Sequence, residues 1–335
     1  MKRPAVLLFL LCIIHALSYS QRISLGDRRY LAQKEDSMKI QAVTILQGIN
    51  PADRLKADSL FTRMFMRGLQ VKHSFYYQFD SLETISQLYP PDSSFRIFTW
   101  QLVINDNVIR QHGVIQMRTQ DGSLKRFPLI DRSDVTKHIT DTIGNNMGWI
   151  GAVYYRIIQK KSFNKNYYTL LGFDENNIRC NRKVIELLSF ENDEPVFGAR
   201  LFSFENDKNF SPAISRYIME FKKDAGPRLT YDPELDMIIA EHLVSESNEP
   251  NKKWTFVGDG DYEGFKWMNG KWVHVEKVYN YVTPLGKEPL PKPLLDNEGK
   301  INESQLKGNE EEIPVYDSKT NPKKVTPVKK KGNGN

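Results

Sequence analysis

Residues 98–118 read FTWQLVINDNVIRQHGVIQMR, and this stretch decides the fold. Every second residue from Phe98 to Ile104 is large and apolar, which is the period of a strand with one buried face. Asn105-Asp106-Asn107 has the composition of a turn. Residues 108–118 are therefore predicted to return as the second strand of an antiparallel hairpin.

The same pattern continues toward the C-terminus. Asp121-Gly122 predicts another tight turn, and short apolar runs alternate with turns rich in Asn, Asp and Glu. Strands are expected at 124–129, 150–159, 167–173, 183–190, 196–204 and 214–221, whereas 233–244 is compatible with a short helix. We predict a mainly β fold, an antiparallel meander that is either barrel-like or a sandwich.

Two helices are predicted before the strands, so the fold is α+β overall. Leu31, Met38, Ala42, Ile45 and Ile49 recur at helical spacing, and a second such stripe runs from Phe61 to Leu69. Gly48 suits the end of the first helix, and Asn50-Pro51 suits the start of the second. Each helix has one apolar face that must pack on something else.

The hairpin around Asn269-Gly270 carries the most specific local signal. Asn-Gly between two aromatic runs is typical of a type I′ turn. That turn pairs Met268 with Lys271, Trp267 with Trp272, Phe265 with His274, and Glu263 with Glu276.

Alternation places the last three of these pairs on one face of the hairpin. Trp267 and Trp272 are candidates for stacking on a ligand such as a glycan, and Glu263, His274 and Glu276 are candidate metal ligands. The alternative is that the tryptophans belong to the core while the glutamates point into water.

Asp259-Gly260-Asp261-Tyr262-Glu263-Gly264 resembles the start of a calcium-binding loop. Asp259 and Asp261 are therefore further candidate metal ligands. The match fails at the twelfth position, where Gly270 replaces the required glutamate, so a tight acidic turn is the preferred interpretation. No cofactor is predicted.

The N-terminus predicts export. Lys2 and Arg3 precede an apolar stretch that ends at Leu17, which is shorter than the ~20 residues of a membrane span. Small residues at Ser18 and Ser20 predict cleavage after Ser20, and an uncleaved anchor is the alternative. The mature protein is expected in the periplasm or outside the cell, with no transmembrane segment.

Charge and cysteine content narrow the class further. The net charge is +6, but Lys2 and Arg3 leave with the signal peptide and six lysines lie between residues 319 and 331. The globular part is thus close to neutral, which argues against binding nucleic acid. Cys12 also leaves with the signal peptide, so Cys180 has no disulfide partner and is expected to be inert.

We therefore divide the chain into four segments. Residues 1–20 are the signal peptide, 21–72 the N-terminal helical segment, 73–283 the antiparallel β-rich domain, and 284–335 a disordered tail. The tail combines Pro, Lys, Glu, Asn and Gly with few apolar residues, so it buries too little surface to offset the entropy of ordering.

An ordered set of aromatic motifs runs through the chain. It consists of FTW (98–100), FPLID (127–131), WIGAVYY (149–155), YYTLLGF (167–173), VFG (196–198), YEGF (262–265) and GKW (270–272). Over roughly residues 30–280 the set resembles a family of uncharacterised exported proteins of the Bacteroidota. The resemblance implies a cell-envelope or extracellular setting in a Gram-negative bacterium, and it implies no activity and no catalytic residues.

The motifs that name a reaction are missing from this sequence: it has no HExxH, GxSxG, GxxxxGK[ST] or paired CxxC. The leading hypothesis is a non-catalytic binding or structural protein of the cell envelope, with a glycan or an envelope protein as its partner. The alternative is a secreted or periplasmic hydrolase of envelope or glycan polymers, whose carboxylates the fold brings together.

Overall fold

A computed structural model describes residues 23–105, 107–205 and 213–279. The predicted signal peptide and the predicted disordered tail lie outside the described residues.

The two predicted helices are present: α1 spans Leu25–Gln47 and α2 spans Pro51–Leu69. The Ser24 hydroxyl accepts a hydrogen bond from the Asp27 N–H at 3.0 Å, which caps the start of α1. Among the described residues, no helix combines the length and the apolar composition that a membrane span requires.

The apolar stripe of α1 is buried as predicted, except at its end. Leu31, Met38, Ala42 and Ile45 are each at most 2% exposed, whereas Ile49 is 92% exposed. The helix ends at Gln47, so Ile49 lies beyond the last turn and no longer faces the core. Glu35 also lies on this stripe, where its carboxylate accepts hydrogen bonds from the Tyr77 hydroxyl and, at 2.7 Å, from the Ser81 N–H.

The remainder of the described chain is mainly β and contains fifteen strands. They are β1 (Ser86–Leu88), β2 (Phe95–Asn105), β3 (Val108–Met117), β4 (Lys125–Ile130), β5 (Gly144–Asn145), β6 (Val153–Ser162), β7 (Lys165–Asp174), β8 (Cys180–Glu191), β9 (Glu194–Phe197), β10 (Phe202–Ser203), β11 (Tyr217–Lys222), β12 (Leu229–Asp232), β13 (Met237–Ser245), β14 (Phe256–Met268) and β15 (Lys271–Val275).

These strands form three sheets. The helix-side sheet has the order β1-β2-β3-β4, and the middle sheet has the order β5-β9-β8-β7-β6, with β11 also paired to β8. The outer sheet has the order β10-β15-β14-β13-β12. All neighbours are antiparallel except β10 and β15, so the antiparallel prediction is confirmed.

Alternation along β2 shows how the layers stack. Phe98 and Trp100 pack in one cluster with the helices, whereas Phe95 and Ile97 pack in another with the middle sheet. The helix-side sheet therefore lies between the helical pair and the middle sheet.

The middle sheet is buried on both of its faces. Leu170 and Val184 pack against the helix-side sheet, and their chain neighbours Leu171 and Ile185 pack against the outer sheet. The described residues thus form a stack of helices and three open sheets, which selects the sandwich from the two arrangements that the sequence left open.

Two local predictions are wrong. The strand expected over residues 196–204 is divided into β9 and β10, because Gly198 has a φ of +94° and turns the chain out of the extended conformation. The helix considered for residues 233–244 is replaced by a turn followed by β13, in which Ile238 and Ile239 pair with both neighbouring strands.

The middle and outer sheets are joined through a buried tryptophan. Trp272 on β15 is fully buried, and its Nε1–H donates to Thr169 Oγ1 on β7 at 2.9 Å. A buried indole N–H needs such a partner, since an unpaired donor in the core is costly.

Replacing this indole tests its contribution to the packing of the sheets. We expect Trp272→Phe to lower the free energy of unfolding by about 2–4 kcal/mol, because it removes buried volume and leaves Thr169 without its donor. Trp254→Phe is the matched control: Trp254 is 39% exposed, so its effect should stay within about 0.5 kcal/mol. Urea unfolding followed by circular dichroism measures both, and equal losses would contradict the prediction.

Candidate functional site

The hairpin of β14 and β15 has the predicted register. Met268 pairs with Lys271, Trp267 with Trp272, and Phe265 with His274. Asn269 and Gly270 have φ values of +51° and +78°, as a type I′ turn requires.

The two tryptophans of this hairpin serve packing. Trp272 is fully buried, so its ring is not accessible to a ligand. Trp267 is half-buried and lies edge-to-face on Trp272, with 5.2 Å between the ring centroids.

The two glutamates of the hairpin have different environments. β15 ends at Val275, which pairs with Gly264, so Glu263 and Glu276 are not opposed across a ladder. Glu276 is exposed, whereas the Glu263 side chain is 14% exposed. Strand termination thus removes the repulsion that continued pairing would have produced.

Glu263 is held by two partners. Its Oε1 accepts a hydrogen bond from the Tyr217 hydroxyl on β11, and its Oε2 lies 3.0 Å from His274 Nε2. Burial favours a higher pKa for Glu263, but the hydrogen bonds from His274 and Tyr217 outweigh it, so this pKa is lowered. Burial and the adjacent carboxylate raise the pKa of Tyr217. The cluster therefore holds a negative charge on Glu263.

The acidic segment after Phe256 is a bulge inside a long strand and not a turn between strands. Glu241 pairs with Tyr262 and Leu243 pairs with Gly258, so residues 259–261 of β14 lie opposite His242 alone. Gly260 takes a φ of +87° at this position.

The bulge carboxylates pair with basic side chains. His242 Nδ1 lies 2.8 Å from Asp259 Oδ2, and Lys277 Nζ lies 3.1 Å from Asp261 Oδ2. Within residues 23–105, 107–205 and 213–279, no group of three or more His, Cys, Asp or Glu side chains is arranged to hold a metal ion. Of the predicted ligands, Glu263 and His274 contact each other, whereas Asp259 pairs with His242, Asp261 pairs with Lys277, and Glu276 is exposed.

A cleft of about 410 Å³ lies between β11 of the middle sheet and β13–β14 of the outer sheet. Its wall combines acidic, basic and aromatic side chains with apolar ones; the polar and aromatic members include Tyr217, Glu220, His242, Lys253, Phe256 and Glu263. We call this the sheet cleft. Among the predicted candidates, Glu263 alone belongs to its lining.

Glu220 is the second carboxylate of the sheet cleft. Its Oε1 accepts from the Cys180 thiol at 2.9 Å and its Oε2 from Arg182 Nε at 3.2 Å. Burial and the Glu220 carboxylate raise the pKa of Cys180 to about 11, which keeps the thiol protonated and unreactive at neutral pH.

Basic side chains pack on aromatic rings next to the sheet cleft. The 3-10 helix Lys253–Thr255 packs against β11. Lys253 Nζ lies 4.1 Å from the centroid of the Phe256 ring, and the Arg179 guanidinium lies 5.3 Å from that of Trp254. Trp254 is 39% exposed, so its ring offers a surface beside the cleft.

Most residues of this site are brought together only by the fold. Tyr217 lies 46 positions before Glu263 and reaches it from another sheet, and His242 gains its role from the bulge opposite it. The cluster KKWTF at residues 252–256 is a local signal that could have found this region, since two lysines precede two aromatic side chains there.

Comparison of the chain with models of protein families, with curated proteins and with solved structures returns no match.

The pH dependence of stability tests the Glu263 cluster. Because folding lowers the pKa of Glu263, its ionisation stabilises the protein above the ordinary value of 4.5, and this contribution is lost as the pH falls through the folded-state pKa. We expect Glu263→Gln to cost about 1–3 kcal/mol at pH 7, with a difference from the wild type that shrinks below pH 4.5. Urea unfolding from pH 3 to pH 7 measures this.

Glu276→Gln is the control, because Glu276 is exposed on the same hairpin. It should follow the wild-type curve within about 0.5 kcal/mol at every pH. If the free energy of unfolding of Glu263→Gln stayed parallel to that of the wild type below pH 4.5, Glu263 would not be the group whose titration destabilises the protein there.

Proposed function

We propose that this chain is an exported, non-catalytic binding protein of the cell envelope and that the sheet cleft is its ligand site. The observation that carries the proposal is the cleft wall itself, which contains the carboxylates Glu220 and Glu263 together with the aromatic ring of Phe256. Ligand sites combine an apolar lining with a few fixed polar groups in this way.

The carboxylates are suited to accept hydrogen bonds from a ligand. A carboxylate has about four acceptor positions, and the described partners of Glu263 are Tyr217 and His274. These partners also fix its orientation, so little side-chain entropy is lost when a ligand binds. The matching ligand offers several donors.

A glycan fits this description best. Sugar hydroxyls donate to fixed carboxylates, and the apolar face of a sugar ring packs on aromatic rings such as Phe256 and Trp254. Lys253 and His242 add donors for the ring and hydroxyl oxygens of the same ligand.

The electrostatics favour binding over hydrolysis. A glycoside hydrolase needs one carboxylic acid with a raised pKa that donates a proton to the leaving group. The pKa of Glu263 is lowered, so this carboxyl is a poor acid. Among the described carboxyl groups, burial raises the pKa of Asp174 and Glu186, and neither lines the sheet cleft.

The N-terminal sequence supports the proposed compartment. The charged and apolar pattern of residues 1–20, and the resemblance to exported proteins of the Bacteroidota, support a periplasmic or extracellular location. A glycan ligand suits that location, because the cell envelope is rich in polysaccharide.

Glycan binding is testable with defined oligosaccharides. We expect at least one of cellohexaose, mannohexaose, xylohexaose and chitohexaose to bind the mature protein by isothermal titration calorimetry. Trp254→Ala and His242→Ala should each weaken that binding about tenfold, which corresponds to ~1.4 kcal/mol.

Phe163→Ala is the matched control, since Phe163 is 99% exposed in the turn between β6 and β7, away from the sheet cleft. It should bind like the wild type. If Trp254→Ala and His242→Ala also bind like the wild type, the ligand occupies another surface; if no oligosaccharide binds, the glycan proposal fails.

Export has its own test. On expression of the full chain in a Gram-negative host, we expect the mature protein in the periplasm or medium, with Gln21 as its first residue by N-terminal sequencing. Recovery of the intact chain from the cytoplasm would contradict the prediction. A Lys2→Glu/Arg3→Glu double variant should reduce export, because it removes the positive charges of the signal peptide.

A further inference from the structure

The turn between β6 and β7 presents a large aromatic side chain to solvent. Ser162 pairs with Lys165, so the turn consists of Phe163 and Asn164 alone. Phe163 is 99% exposed, the highest value among the large apolar side chains of the described residues. A phenylalanine ring normally stabilises a fold by leaving water. Burial within this chain therefore does not account for Phe163.

The backbone at Phe163 is also unfavourable for this residue type. Phe163 and Asn164 have φ values of +44° and +68°. This is the type I′ conformation, which prefers Asn-Gly or Asp-Gly, and a bulky residue with a positive φ is an outlier. The Asn269-Gly270 turn meets the same demand with the preferred residues. Strain of this kind clusters at functional sites, so the ring at position 163 is a candidate for one.

These two turns lie side by side. A Cβ atom at Gly270 would overlap Ser162 Oγ, so the end of the β14–β15 hairpin touches the end of the β6–β7 hairpin. Met268, which is 38% exposed, adds a second apolar side chain there. We call residues 160–165 and 266–271 the tip surface.

The tip surface combines its apolar side chains with positive charge. Its two segments, KKSFNK and KWMNGK, contain five lysines and no acidic residue. Lys161 and Lys266 are exposed, and within the described part of the chain neither has a carboxylate at ion-pair distance.

The other three lysines of the tip surface form exposed ion pairs. Lys160 pairs with Asp236, Lys165 with Glu191 at 2.5 Å, and Lys271 with Glu205 at 3.4 Å. Each of these carboxylates is more than half exposed. Exposed ion pairs contribute little free energy and are screened by salt. These lysines are thus able to exchange their partners for other anions.

We propose that the tip surface docks this protein on an anionic phospholipid bilayer, with Phe163 inserted among the headgroups and the lysines against the phosphates. Peripheral proteins bind membranes in this way, because apolar side chains enter the interface while basic ones are attracted to anionic lipids. A ring that projects from a two-residue turn enters a fluid surface without a matching cavity, which a protein partner would have to supply.

Bilayer docking and glycan binding are independent. The tip surface and the sheet cleft share no residue. Trp254→Ala, which should weaken glycan binding, is therefore expected to bind vesicles like the wild type, and Phe163→Ala should show the reverse. Failure of either proposal leaves the other untouched.

The test measures sedimentation of the mature protein with vesicles of phosphatidylglycerol or of phosphatidylcholine. We expect at least tenfold tighter binding to phosphatidylglycerol, and loss of this preference at ~1 M NaCl, where the Debye length is about 3 Å. Phe163→Ala should weaken binding to phosphatidylglycerol at least tenfold. Ile49→Ala is the matched control, since Ile49 is 92% exposed in the turn between α1 and α2.

Equal binding to the two lipids, or unchanged binding in Phe163→Ala, would overturn the proposal. A Phe163→Ala variant that binds as weakly as expected, together with an Ile49→Ala variant that binds equally weakly, would also overturn it. Such a result would show that any exposed apolar side chain has the same effect.

Charge reversal tests the lysines. We expect Lys161→Glu/Lys266→Glu to weaken binding to phosphatidylglycerol at least tenfold, because it places two negative charges beside Phe163. Lys39→Glu/Lys56→Glu is the matched control, since it changes the net charge equally at exposed positions of α1 and α2. Equal losses in the two double variants would assign the effect to net charge and overturn the proposal.

Two further variants separate the ring from the backbone strain. Phe163→Asn should raise the midpoint of urea unfolding, because Asn tolerates a positive φ, and should still lose at least tenfold in vesicle binding. Phe163→Trp should retain binding, since tryptophan suits the membrane interface. A lower midpoint for Phe163→Asn would assign the ring a structural role. That result, or lost binding in Phe163→Trp, would overturn the proposal.

Discussion

Burial of both faces of the middle sheet is the constraint on which the rest of the structure depends. A sheet of this kind requires an apolar layer on each side, and the helix-side and outer sheets supply them. It also requires that any charge inside it be paired. Glu186 and Arg216 are both almost fully buried, and Arg216 Nε lies 2.7 Å from Glu186 Oε2. Cys180 is the one cysteine among the described residues, and it forms no disulfide. Packing and buried polar pairs therefore hold these layers together.

The sheet cleft follows from the same constraint. β11 pairs with one end of β8, so its side chains lie where the middle sheet approaches the outer sheet. Continuous pairing in the outer sheet would leave its side chains in regular rows, but the bulge opposite His242 interrupts them. Apolar packing thus ends at the sheet cleft, which Tyr217, His242 and Glu263 line. These polar side chains lie at the border of the core, and each has a hydrogen-bond partner.

The elements that were predictable depend on local chemistry. The helix boundaries at Gly48 and Pro51 and the register around Asn269-Gly270 follow from neighbouring residues, and the structure has both. The layering was not predictable in the same way, because a run such as residues 184–188, which is apolar on both faces except at Glu186, does not say which partner covers each face. The Tyr217–Glu263 contact was hidden for a similar reason, since it joins strands of different sheets.

Glu263 shows why a candidate site read from one hairpin can change its chemistry in the fold. Considered alone, the hairpin opposes two carboxylates, an arrangement that calls for a metal ion or a shared proton. In the folded chain β15 ends one pair earlier, so the two carboxylates are not opposed. Glu263 is bonded by Tyr217 and His274 in place of a metal ion. A carboxylate satisfied by neutral or basic partners stays ionised and well oriented. It is then a fixed acceptor for donors in the sheet cleft. Hydrolysis would require it to donate a proton, and this environment disfavours proton donation.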